Sequence, residues 1–79
     1  MEYDKDKVDE MVLALLYLTS SKDQYGTRAW KGLDLAVLER LHEKGFIGDP
    51  RGKGPTVDLS EDAGKRSKEL FIKYFGVGQ

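Results

Sequence analysis

The sequence predicts an α+β domain with three main helices and a β-hairpin between the second and third. Three observations carry this expectation. Apolar residues recur at helical spacing over residues 8–18 and again over 35–42 and 63–75. The second helical stretch stops at a glycine, Gly45. A turn-rich segment, GDPRGKGP, then leads into the alternating stretch TVDL and a Ser-Glu-Asp helix start.

The first helix is expected over about Asp6 to Ser20. Asp6 would cap it, with Asp9 and Glu10 in the first turn, where negative charge suits the helix dipole. Val8, Met11, Val12, Leu15, Leu16 and Leu18 fall on one broad face, and Leu13 and Tyr17 on the opposite side. A helix apolar on both sides is buried between two partners. The second partner is either another helix of the same chain or a second copy, which makes Leu13 and Tyr17 the candidate dimer face.

Residues 20–32, SSKDQYGTRAWKG, interrupt the helical pattern with Ser, Asp and Gly. Residues 27–31 fit either a short extra strand or one helical turn. Trp30 has the largest apolar surface in the chain and is expected to anchor the core.

The next helix is expected over Asp34 to Lys44, with Leu35, Val37, Leu38, Leu41 and His42 on its inward arc. Asp49-Pro50-Arg51-Gly52 then fits a type I turn, with Asp first, Pro second and Gly fourth. Gly52 suits the left-handed position of such a hairpin. The hairpin strands are expected near 46–48 and 56–59. Ser60 caps the last helix, whose stripe is Ala63, Leu70, Phe71, Tyr74 and Phe75.

Seventy-nine residues allow one domain, 1–79. A chain this short buries only about 60% of its unfolded surface, so its core is thin. The absence of cysteine excludes disulfides, thiolate metal sites and a cysteine nucleophile. A single histidine, His42, argues against a zinc site, and no cofactor is implied. The first ten residues carry five acids, unlike a secretory signal. The apolar run Met11 to Leu18 is far short of the roughly 20 residues a membrane span needs. A cytoplasmic protein with no membrane contact is expected.

The motifs for chemistry are weak. A nucleotide loop needs two glycines separated by four residues, then Lys and Ser or Thr, running into a helix. Here three residues separate Gly48 from Gly52, and Lys53 is followed by Gly54 and Pro55. His42 sits at the edge of an apolar arc, which suits a hydrogen-bonded core-edge residue better than a general base. Asp49, Asp58, Glu61 and Asp62 do not have calcium-loop spacing. An enzyme is the least favoured class.

Net charge is −1, and the basic residues form no strong patch of the kind that supplies affinity for phosphate backbones. Arg51 and Lys53 stand out because they fall at the expected hairpin tip, where they could reach a nucleic acid. Arg28, Lys31, Arg40 and Lys44 complete the candidate nucleic-acid contacts. Against that reading, the outward arc of 34–44 sets Glu39 and Glu43 beside Arg40 and Lys44 and sums to zero.

In order and spacing, LERLHEKGFI followed by VDLSEDAGKRSKELF resembles the winged-helix repressors of the MarR and PadR kinds. The resemblance covers residues 35–75. It implies a small winged-helix-like domain, with 34–44 as the recognition helix and 49–55 as the wing tip. The whole chain, through RAWKG at 28–32 and RLHEKG at 40–45, is similar to a small bacterial family known only as a domain of unknown function. That likeness implies no activity. Two readings follow: a protein–protein interaction or structural module, homodimeric through the first helix, or a nucleic-acid-binding regulator that uses the hairpin tip.

Overall fold

The structure, a computed structural model, describes residues 1–78. Its elements in chain order are α1 (Lys5–Thr19), β1 (Ser21–Asp23), β2 (Gly26–Trp30), α2 (Leu35–Glu43), β3 (Thr56–Leu59) and α3 (Glu61–Phe75). Three helices and one three-stranded antiparallel sheet, ordered β1-β2-β3, make up the α+β architecture.

Each helix begins at a side-chain cap. Asp4, rather than Asp6, caps α1: its carboxylate accepts from the Lys7 amide at 3.0 Å. Asp34 accepts from the Val37 amide at 3.2 Å, and the Ser60 hydroxyl from the Ala63 amide at 3.1 Å. These bonds satisfy amides that the first helical turn leaves without partners. The end of α2 is closed by Gly45 at φ 81°, with the Gly45 amide donating to His42 and the Phe46 amide to Leu41. This pair of bonds is a Schellman closure, and it needs the left-handed backbone that glycine adopts without strain.

The hairpin of the molecule is not where the glycines and prolines suggest. β1 and β2 form it, between α1 and α2, around the two-residue turn Gln24-Tyr25. The Asp23 carboxylate accepts from the Tyr25 amide at 2.8 Å, and Gly26 takes φ 129°. The expected extra strand near 27–31 is thus β2, the central strand of the sheet. Of the expected pair 46–48 and 56–59, the second is β3, but its ladder runs to β2, Thr27 opposite Leu59 and Trp30 opposite Thr56. Residues 46–48 meet β3 through one bridge, Ile47 to Leu59, flanked by bonds from the Gly48 amide to Asp58 and the Ser60 amide to Phe46. Pro50 and Pro55 have no amide to donate, so a longer ladder cannot form here. The turn at 49–52 is present, its Gly52 amide 3.4 Å from the Asp49 carbonyl, but the positive φ belongs to Gly54 (99°), not Gly52.

The core is built from Leu13, Ala14 and Leu16 of α1, Ala29 of β2, Val37, Leu38 and Leu41 of α2, Ile47, Val57 and Leu59, and Ala63 and Leu70 of α3. Strand parity turns Ala29, Val57 and Leu59 inward and Arg28, Trp30, Thr56 and Asp58 outward. Trp30 is therefore not the expected core anchor. It is half exposed, with its indole lying over Gly32 so closely that no Cβ would fit there.

Candidate functional site

The orientation of α1 decides what the molecule offers to a partner. Asp9 is 1% exposed. Its carboxylate accepts from Arg40 Nε at 2.9 and 3.1 Å and from Lys44 Nζ at 2.9 Å, both on or just beyond α2. Lys44 also reaches Asp6 at 3.1 Å. Burial alone would push the Asp9 carboxyl up. The hydrogen bonds and charges of Arg40 and Lys44 outweigh it and hold the group below the usual carboxylate range. The bonds to Asp9 raise Arg40 and Lys44 in turn. This cluster binds one side of α1 to α2. On the other flank, Tyr74 of α3 donates to Glu10 at 2.9 Å and accepts from Lys7 at 2.7 Å, and Tyr17 packs on Phe71 with ring centroids 5.4 Å apart.

These contacts correct the expected dimer face. Leu13 is 1% exposed, enclosed by the chain's own elements, and Tyr17 packs against α3. The second partner of α1 on that side is a helix of the same chain. The broad face expected to turn inward is instead divided. Leu16 is buried, while Leu15 and Leu18 are 38% and 65% exposed, beside the partly covered Val8 and Met11. Val8, Met11, Leu15 and Leu18 share one arc about 80° wide at 100° per residue. No charged residue occurs between Glu10 and Lys22, so nothing ionic interrupts this outward arc.

The six basic candidates are not brought together into one surface. Arg40 and Lys44 are engaged by Asp9. Arg28 is paired with Asp23 at 2.8 Å and Arg51 with Glu39 at 3.2 Å. Lys31 Nζ donates to the carbonyls of Pro50 and Gly52, tying the 49–52 turn down beside α2 and burying Pro50. The expected wing tip is thus tethered at its base, while Arg51 to Pro55 stay exposed. Among the described residues, Lys53 alone of the six has no ion-pair or hydrogen-bond partner. A helix-turn-helix also needs a helix ahead of its recognition helix. That stretch is the β1–β2 hairpin.

His42 makes the expected hydrogen bond, Nδ1 donating to the Ile47 carbonyl at 2.9 Å, but it is exposed, as is Leu35 at 50%, so the inward arc of α2 is Val37, Leu38 and Leu41. Among the described residues, no group of three or more His, Asp or Glu is placed to hold a metal ion. Nor is any helix there long and apolar enough to cross a membrane. Two open clefts flank α1. One, of about 370 Å³, is lined by Lys7, Glu10, Lys44 and Phe46; the other, of about 760 Å³, by Tyr17, Ser20, Lys22, Tyr25, Lys65 and Lys68.

The sequence profile described as "Domain of unknown function (DUF6429)" matches residues 4–77. The chain is also similar to "Uncharacterized protein y4hR" of Sinorhizobium fredii (strain NBRC 101917 / NGR234). The two are 47% identical over 75 residues, which cover 95% of this chain and 97% of that protein. No solved structure matches. Neither match carries an assigned activity, and neither supports the MarR and PadR likeness.

Proposed function

We propose a role for a chain that belongs to the DUF6429 family: a protein–protein interaction module whose contact surface is the outward face of α1. One observation carries the reading. In a chain with 34% charged residues, α1 exposes Leu15 and Leu18 beside the half-buried Met11 and Val8, the latter also touching the core, and from Met11 to Ser21 carries no charge. A helix that faced water on that side would carry polar residues there. An interfacial membrane helix would carry a Lys- and Arg-rich polar face, whereas α1 holds two lysines, both in its first turn, against three acids. The nucleic-acid reading has less support, because five of its six cations are engaged within the molecule.

The test is whether a partner covers the face inside cells that make the protein. The chain has no cysteine of its own. Leu18→Cys should be alkylated there more slowly than Glu69→Cys, a control on the exposed side of α3. Equal rates at the two positions would overturn the proposal.

A further inference from the structure

We infer that the partner of the α1 face is a second copy of this chain, packed antiparallel about a two-fold axis near position 13. This rests on the reading of that face as a contact surface and names what covers it. The seam residues Val8, Met11, Leu15 and Leu18 are spaced three, four and three apart. That is the alternation of a coiled-coil seam, and it reads the same in both directions. An antiparallel copy therefore sets Leu18 against Val8 and Leu15 against Met11 twice over, as a closed two-fold interface requires.

Charge selects the same direction. Glu2 and Asp4, exposed at the start of α1, have no cation partner among the described residues, although unpaired Lys5 is adjacent in sequence and unpaired Arg66 lines the smaller cleft with Asp4. At the far end of α1, Lys22 and Lys68 line the larger cleft with Ser20 and likewise have no partner among the described residues. The two acids that line the same cleft are engaged elsewhere, Asp23 by Arg28 and Glu61 by Lys65. Antiparallel packing brings Glu2 and Asp4 of one copy toward Lys22 of the other and opposes the two helix dipoles. Parallel packing sets the acidic starts side by side, where they repel.

Cysteine cross-linking of the purified protein separates the arrangements. In the antiparallel pair, position 18 lies beside position 8 of the other copy and about 15 Å along the axis from its own counterpart. A disulfide needs Cα atoms within about 7 Å. Mild oxidation should convert the double variant Val8→Cys/Leu18→Cys to a covalent dimer and leave single Leu18→Cys as free chains. Cross-linking of Leu18→Cys alone, or a double variant that stays as single chains, would overturn the inference. If the purified chain has single-chain mass while position 18 is protected in cells, the second-copy assignment fails and the contact surface stands. If position 18 is unprotected in cells, the contact surface itself fails.

Discussion

Asp9 of α1, 1% exposed, is gripped through two carboxylate oxygens by Arg40 of α2 at 2.9 and 3.1 Å. This bond fixes the rotation of α1. With Asp9, Leu13 and Leu16 turned inward, Leu15 and Leu18 face out and Met11 lies half-buried beside them.

Removing the carboxylate should therefore cost more than a surface ion pair would. Asp9→Ala removes the buried carboxylate and leaves the partly exposed Arg40 and Lys44 without their shared partner, and a loss of about 1–3 kcal/mol is expected in chemical denaturation. The deficit should depend on pH. The folded carboxyl lies below its ordinary value, so its contribution is complete above the usual carboxylate range. It is lost as pH falls from about 4 through the depressed value. Wild type and variant should converge in stability in that acid window. A gap that stays constant down to acid unfolding would contradict the assignment.

Gly45→Ala should destabilise the domain by about 1–2 kcal/mol, the cost of a side chain in left-handed backbone. Nothing lies within 4 Å of a Cβ built at Gly45, so the penalty is conformational and not steric. Gly45→Asn, which tolerates this region better, should recover part of it in the same denaturation series.

Gly32→Ala has the opposite logic. Its φ is not in the left-handed region, but a Cβ there would enter the ring of Trp30. The indole must move, and as the only tryptophan it reports directly by fluorescence. Its emission should shift toward that of indole in water. The midpoint of unfolding should hardly change, since Gly→Ala recovers about 0.4–1 kcal/mol of chain entropy.

The charge layout predicts that the protein does not retard duplex DNA in a salt-sensitive way, even at low salt. A salt-dependent shift that Arg51→Glu with Lys53→Glu abolishes would show that these cations are free in solution to bind phosphate.

The sequence made the helices legible because caps and closures are local. Asp34, Gly45 and Ser60 declare the ends of α2 and the start of α3 within a few residues. The sheet was harder to read. β1 carries no apolar alternation, and the partner of β3 is set by contacts between Thr27–Trp30 and Thr56–Leu59, far apart in sequence. Trp30 shows the limit of composition: its size suggested the core, yet register gave the inward position to Ala29. The candidate surface was misplaced for a related reason. Periodicity grouped Leu15 with Leu16, but it could not show that Asp9 is buried and so turns the helix by its ion pairs. An acid in the first helical turn reads as a dipole partner. Only Arg40 of α2 and Lys44 just beyond it, one turn apart, hinted at a matching pair.

The most direct measurement is the solution mass of the purified chain beside Leu15→Glu with Leu18→Glu, with helix content checked by circular dichroism. The account predicts twice the chain mass for the wild type and a folded, single-chain variant. A wild type that keeps single-chain mass at high concentration, or a variant that still associates, would contradict the outward face of α1 as the contact between copies.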